Sequence, residues 1–270
     1  MALLSVEFHT KALARRTRMD VFFPSLNLGG CLRNQDVNYY QNSTETYPLI
    51  IFLHGFGDNE KAWQMNTQIL KLCEDNKIAA CFINGENKWY LNVGPIENYY
   101  TLVEEEVLDF LYGNFSCLSK DKPLVIAGVS MGGYGALYHY AKNVDKYAAC
   151  VALSPAVKPD QLDESKFGTL RDLFLENKGK PLNVYLSVGE SDFIIEASKA
   201  FNEFLIENEL GFEYKFIPNR DHSWYTWAQE TFDVIEYLKK IMKELRRKRN
   251  EKFQNEIYPC IVCIVGSCIG

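Results

Sequence analysis

The sequence predicts an α/β fold: a mostly parallel central sheet with helices on both faces and an antiparallel N-terminal edge. Three observations carry this. Continuous apolar runs such as "PLIIFLHG" and "PLVIAGV" suit strands buried on both faces. Amphipathic segments of helical spacing alternate with them along the chain, the rhythm of a parallel sheet in one domain. The first two strand-like segments, by contrast, follow each other without an intervening helix.

These first two are "SVEFHT" and "RRTRMDVFFP", the second alternating polar and apolar residues before a proline. The polar stretch from Asn27 to Pro48 reads as an exposed connection. "PLIIFLHG" is then a buried strand, and "NEKAWQMNTQILKLCEDN" one helix with Trp63, Ile69, Leu70 and Cys73 on one side. "KIAACFIN" is a strand and "IENYYTLVEEEVLDFLYGNF" a helix. "PLVIAGV", "GGYGALYHYAKNV" and "YAACVALSP" read as strand, helix and strand. The short helix "GTLRDLFLEN" leads to the strand "PLNVYLSVG", and "IIEASKAFNEFLIENEL" to the strand "FEYKFIP". "WAQETFDVIEYLKKIMKELRRKR" closes the pattern as a long helix. The expected division is a single domain over residues 1–248 and a C-terminal tail over 249–270.

The chain's 270 residues, 47% hydrophobic and 14% aromatic, can build a large core. A net charge of −6 argues against nucleic acid as a partner, which needs a basic footprint. The opening "MALLSVEFHTKALARRTR" has too short an apolar run for a signal peptide, and no stretch is long enough to span a bilayer. A cytoplasmic protein is expected, with its scattered cysteines reduced and packed as small hydrophobes.

The chemistry centres on Gly128-Val129-Ser130-Met131-Gly132, a G-x-S-x-G between a predicted strand and a predicted helix. Read alone it is a glycine-rich turn. With a base and an acid it becomes a strained elbow that presents a nucleophile at a helix N-terminus. The histidines are His9, His54, His139 and His222. His9 lies in the first strand, His54 opens a loop, and His139 sits mid-helix to pack or face solvent. His222, in "NRDHSWYTW" after the last strand, is the expected base. Asp192 in "SVGESDF" is the expected acid, with Glu190 the runner-up; Asp221 is too close in sequence to reach the ring. The chain order Ser, Asp, His suits this fold pattern. The backbone amides of Phe56, in "LHGFGDN", and of Met131 are the expected oxyanion donors.

These residues resemble the putative-esterase branch of the α/β-hydrolases, and within it the small tributyrin-esterase-like acyl esterases. The resemblance runs from about Ser5 to the final helix. It rests on "FLHGFGDNEKAW" with His54, Gly55, Asn59 and Trp63, and on "NGENKWYLNVGPIENYYTLVEEEV" with Trp89, Tyr90, Tyr99 and Tyr100. "IAGVSMGGYGA", "VGESDF" and "HSWYTW" complete it. Leu91 and Asn92 depart from the polar Thr and Asp usual in relatives. The resemblance implies an α/β-hydrolase fold, the triad Ser130, Asp192 and His222, and no metal or organic cofactor. It implies a substrate pocket bordered by His54 and Gly55, with Trp89, Tyr90, Trp224 and Trp227 either walling it or packing in the core. The segment between Ser154 and Pro181 is short for a lid, so an open site is expected.

The resulting expectation is a serine carboxylesterase acting on short-chain acyl esters or acylated sugars through an acyl-enzyme. S-formylglutathione hydrolase or acetyl/feruloyl esterase activity is the alternative within the same chemistry. A hydrolase fold kept as a binding module is the non-enzymatic alternative. The tail "RRKRNEKFQNEIYPCIVCIVGSCIG" has no counterpart in the resemblance. Cys260 and Cys263 form a C-x-x-C without a second pair at zinc-ligand spacing, and Cys268 does not meet the prenylation pattern. Docking on the domain, self-association into a homo-oligomer, membrane contact and disorder all stay open for it.

Overall fold

The computed structural model describes residues 1–34 and 38–265, of which 252–265 by backbone alone. Among the described residues there are ten strands: β1 (Ala2–Thr10), β2 (Arg15–Phe23), β3 (Leu49–Leu53), β4 (Ala79–Ile83), β5 (Asn92–Gly94), β6 (Glu97–Asn98), β7 (Leu124–Val129), β8 (Ala149–Leu153), β9 (Val184–Gly189) and β10 (Glu213–Ile217). Eight of them form one sheet in the order β1-β2-β4-β3-β7-β8-β9-β10, and β5 and β6 form a separate hairpin. β1 and β2 run antiparallel to each other, and β2 antiparallel to β4; every other pairing in the large sheet is parallel. This is the α/β-hydrolase fold with the antiparallel edge at its N-terminal end.

The apolar strands work as the sequence implies. Along β3, Leu49, Ile51 and Leu53 face one side while Ile50 and Phe52 face the other, and all five are buried. On the first side lie the helices Tyr99–Asn114, Met131–Lys142, Leu170–Leu175 and Ile195–Glu207, through residues such as Val103, Leu111, Leu137, Phe174 and Phe201. On the second lie Trp63, Ile69 and Cys73 together with Trp227, Leu238, Ile241 and Met242 of the final helix. The outer edge, β10, is only half-buried and carries Lys215, which bridges Glu230 at 2.8 Å and Asp233 at 2.7 Å. A charged edge of this kind discourages pairing with another chain.

Several elements differ from the expected pattern, among them the β5–β6 hairpin, which occupies the start of the helix expected over 96–115. The helix expected from Asn59 to Asn76 is two, Ala62–Asn66 and Ile69–Asp75. Thr67 separates them with extended backbone (φ −136°, ψ 174°): its amide and its hydroxyl both donate to the Trp63 carbonyl, at 3.1 and 2.6 Å, and its hydroxyl accepts from the Ile69 amide at 3.1 Å. The connection after Asn27 contains short helices, Leu28–Arg33 and Tyr39–Asn42. The helix Tyr99–Asn114 widens into π geometry over Leu102–Val107. The final helix begins at Trp224 and runs to Val265, past the expected end near Arg249. Cys268 lies outside the described residues, and the side chains of Cys260 and Cys263 are likewise not described. Among the described residues no helix is long and apolar enough to cross a membrane.

Candidate active site

β3 and β7 are neighbours, with Leu53 paired to Gly128, so the loop after β3 lies against the turn after β7. Ser130 occupies that turn with φ +54° and ψ −116°, a backbone that costs a non-glycine residue on the order of 1–3 kcal/mol. Its neighbours hold it there. The Ser130 amide donates to the Leu153 carbonyl at 2.9 Å, and its carbonyl accepts from Tyr134 and Ala156 at 3.0 and 3.1 Å. The bend is this tight only because Gly132 is bare: a Cβ there would stand 2.4 Å from the Leu53 oxygen and 2.6 Å from the His54 oxygen.

The loops after β9 and β10 bring the partners in. Ser191 donates its amide to the Arg220 carbonyl at 2.7 Å, tying the two loops together. His222 Nε2 lies 2.9 Å from Ser130 Oγ, and its Nδ1 lies 2.9 Å from both oxygens of Asp192. Asp192 is a buried carboxylate that also accepts from the Ile194 amide at 3.0 Å, whereas the His222 side chain is 15% exposed. With Asp192 ionised, Nδ1–H donates to it, so Nε2 is the lone-pair nitrogen that accepts the Ser130 hydroxyl. Glu190, the runner-up acid, is occupied elsewhere, accepting from the Asn219 amide at 2.8 Å. Asp221 turns away to Ser223 and Thr226 at the start of the final helix, and those hydroxyls help hold its carboxyl below the ordinary value.

The loop from His54 to Asp58 is pinned at several points. The His54 amide donates to the Tyr90 hydroxyl at 2.8 Å, Gly57 to Asn87 Oδ1 at 2.7 Å, and Asp58 to the Gly55 carbonyl at 3.3 Å. Among the described residues the amides of Gly55, Phe56 and Met131 meet no protein acceptor. A negative oxygen beside Ser130 would therefore find free N–H groups here, together with the positive end of the helix Met131–Lys142.

The expected pocket residues are placed differently from one another. Gly55 borders Ser130, its Cα lying where an added Cβ would touch Ser130 Cβ at 3.5 Å. His54 is buried and points away: Nδ1–H donates to the Gly55 carbonyl at 2.7 Å and Nε2 accepts from the Gly85 amide at 2.9 Å. Burial lowers its pKa, in keeping with a neutral ring that must both donate and accept. Tyr90 is fully buried behind the same loop. Trp89 packs edge-on against Tyr134 at 5.6 Å. Trp227 lies edge-on to His222 at 5.0 Å and donates to Ser154 Oγ, and Trp224 donates to Asp58 at 2.9 Å. The two tryptophans thus brace the His222 loop and the loop after β3. The side chains that do stand open around Ser130 are ones the sequence reading did not choose for their rings: Phe56, 63% exposed, and Phe193, 80% exposed with its ring 4.4 Å from that of His222. The position of Phe193 directly after Asp192 is the signal that could have found it. Among the described residues no group of His, Cys, Asp and Glu is arranged to hold a metal ion.

The chain is 23% identical to an acetyl esterase of Caldicellulosiruptor saccharolyticus over 272 aligned residues, covering 89% of this chain and 99% of the relative. A shorter match, 43% over 60 residues, is to an S-formylglutathione hydrolase of Arabidopsis thaliana. Among solved structures, an S-formylglutathione hydrolase of Staphylococcus aureus superposes with a TM-score of 0.74 at 22% identity, covering 87% of this chain and 98% of that one. A ferulic acid esterase gives 0.73 at 17%, covering 89% and 98%. The family model described as "Putative esterase" matches residues 32–241, most of the sheet and all three of Ser130, Asp192 and His222. The chain belongs to that esterase family and is a carboxylic-ester hydrolase.

Proposed function

We propose that the protein is a serine carboxylesterase that cleaves short-chain acyl esters with Ser130 as nucleophile, His222 as base and acid, and Asp192 as the orienting carboxylate. The observation that carries this is the unbroken chain of contacts from Ser130 Oγ through the His222 ring to Asp192, each link 2.9 Å. Ser130 attacks the ester carbonyl as His222 Nε2 takes the hydroxyl proton. The new oxyanion accepts from the Met131 amide and from the Phe56 amide across the cleft. His222 then protonates the departing alcohol, and the acyl group remains on Ser130. Water enters, loses a proton to His222 and releases the acid.

Asp192 keeps one proton on Nδ1 throughout, which leaves Nε2 aimed at the reacting oxygen and stabilises the imidazolium formed when Nε2 takes a second proton. The exposed Phe56 and Phe193 rings offer an apolar shelf on an open surface, suited to a small acyl group carried on a larger alcohol. The likeness to an acetyl esterase supports the same choice. Among the described residues five of the chain's eight cysteines are unpaired and three of these are buried, which fits a reducing compartment, and we place the enzyme in the cytoplasm.

The test compares wild type with Ser130→Ala on p-nitrophenyl acetate and butyrate. The expected loss in kcat is at least about 10⁴-fold. Retained turnover would sink the proposal. S-formylglutathione, feruloyl and acetylated-sugar substrates assayed in parallel rank the natural leaving groups, and a fluorophosphonate probe that fails to label Ser130 would point to a binding module instead.

A further inference from the structure

His139 lies fully buried in the helix Met131–Lys142, away from Ser130's open side. Its Nδ1 is 2.6 Å from Glu104 Oε1 and its Nε2 is 2.8 Å from the Tyr90 carbonyl oxygen. Glu104, on the π-helical segment Leu102–Val107, also accepts from the Tyr147 hydroxyl at 2.6 Å and from Lys146 Nζ at 2.7 Å. Burial pushes its carboxyl up, but the bonds from His139, Lys146 and Tyr147 together hold it below the ordinary value. A carbonyl can only accept, and an ionised carboxylate can only accept, so both nitrogens of His139 donate. A buried ion pair of this kind is weak evidence for stability, since an apolar set of similar volume often serves a core as well.

What the pair holds is the backbone of a strained turn. Trp89 and Tyr90 both adopt left-handed conformations, with φ +56° and +59°, and neither is glycine. The Tyr90 ring passes between Gly85 and Gly135, where an added Cβ would come within 2.1 and 2.8 Å of ring atoms. At its far end the Tyr90 hydroxyl accepts from the His54 amide at 2.8 Å and donates to the His54 carbonyl at 3.1 Å. A single phenol thus clamps the peptide groups on both sides of His54. Two residues further on is the Phe56 amide. No other described side chain bonds both the N–H and the C=O at the root of this loop.

We propose that Tyr90, held in place by His139 and Glu104, is a positioning residue for the oxyanion loop. The charge-assisted bond from His139 fixes the Tyr90 backbone in its left-handed turn. The phenol fixes the His54 peptide groups, and these set the direction of the Phe56 N–H beside Ser130. This rests on the serine-esterase reading above.

The experiment uses the full chain as wild type, Ser130→Ala, Tyr90→Phe and His139→Gln. Each is assayed on p-nitrophenyl butyrate and titrated with an alkyl trifluoromethyl ketone, whose tetrahedral adduct on a serine places an oxyanion in the hole. Tyr90→Phe keeps the ring between the two glycines and removes only the clamp; it is assayed below its own melting midpoint. The expected result is a drop in kcat of roughly 10- to 100-fold with KM within about threefold of wild type. The inhibition constant for the ketone should rise by the same factor as kcat/KM falls. His139→Gln should give the same signature at smaller amplitude; if it does not fold, Tyr90→Phe carries the test alone. A folded Tyr90→Phe with kcat within twofold of wild type overturns the proposal, as does a loss of kcat that leaves the ketone's affinity unchanged. If wild type and Ser130→Ala hydrolyse the ester equally, the serine-esterase reading itself has failed and the positioning role falls with it.

Discussion

Replacing Gly132 by alanine tests the geometry of the elbow most directly. An ideal Cβ at this position lies 2.4 Å from the Leu53 oxygen, where ordinary contact begins near 3.4 Å, so something must move by about 1 Å (3.4 − 2.4 Å). The second and third nearest atoms are the His54 oxygen and the Leu53 carbonyl carbon, both at 2.6 Å, and all three are backbone. No side chain can rotate aside. Either the helix start carrying Ser130 and Met131 lifts off the sheet, or the end of β3 and the loop that follows it are pushed back. Overpacking a tight core costs on the order of 1–3 kcal/mol, and a clash with fixed backbone belongs at the upper end. In a domain of this size that lowers Tm by about 6–12 °C. The same displacement separates Ser130 from the loop carrying Phe56, and a misplacement of about 1 Å at a reacting group is worth roughly 10²-fold in rate. Calorimetry gives the first quantity and kcat on p-nitrophenyl butyrate the second. Gly113→Ala is the control: nothing lies within 4 Å of its added Cβ, it is exposed on a helix, and the change should be neutral or slightly stabilising. A Gly132→Ala protein that melts within about 2 °C of wild type and keeps half its activity would show that the elbow is looser than described.

Asp192→Asn should leave the fold intact yet lower kcat by about 10³- to 10⁴-fold, because an amide can donate to His222 Nδ1 and turn a hydrogen on Nε2 toward Ser130; a loss under tenfold would contradict the assigned tautomer. Phe193→Ala should raise KM for p-nitrophenyl butyrate about fivefold, from roughly 1 kcal/mol of lost apolar cover, and change KM for ethyl butyrate much less; equal effects on both esters would remove Phe193 from the leaving-group side. Asp20 is buried; burial raises its carboxyl, but the bonds from Lys61, Ser5 and Gln64 outweigh this and hold it below the ordinary value of 3.8. A depressed folded-state value contributes stability that is present above the unfolded value and lost as pH falls through the folded one. Urea midpoints of Asp20→Asn should therefore lie well below wild type at pH 7 and converge with it at pH 3 or lower, and a constant gap across that range would refute the assignment.

How much of this was legible without coordinates depends on whether the physics is local. β3, β4, β7 and β8 are each five or six residues in an unbroken apolar run, all buried, and such runs have few alternatives in an α/β chain. The break at Thr67 was hidden because apolar spacing continues through it; what interrupts the helix is one hydroxyl choosing backbone partners, which periodicity does not register. Ser130, Asp192 and His222 could be picked from a single sequence because each follows a parallel strand, and parallel strands deliver the residues after them to one edge of the sheet. Chain order then leaves little freedom, and the 2.9 Å contacts join side chains separated by 30 and 92 positions.

The aromatic residues were not legible in the same way, for a reason that bears on how the site works. Trp89, Tyr90, Trp224 and Trp227 stand near the right loops in sequence, but an aromatic ring is equally at home in a pocket wall or a core, and only its polar atom distinguishes the two. Here the polar atoms decide: the Tyr90 hydroxyl, Trp224 Nε1 and Trp227 Nε1 are spent on His54, Asp58 and Ser154. Tyr90 and Trp227 are buried and Trp224 is half-buried, so these rings are committed to fixing loops through a directed bond. Phe56 and Phe193 have no polar atom to spend and are exposed beside the site, and in the proposed reaction they are the rings that meet substrate. The proposed reaction thus assigns catalytic geometry and substrate preference to separate sets of aromatic side chains. A change at Phe193 should alter which ester is cleaved, while a change at Tyr90 should alter how fast any ester is cleaved.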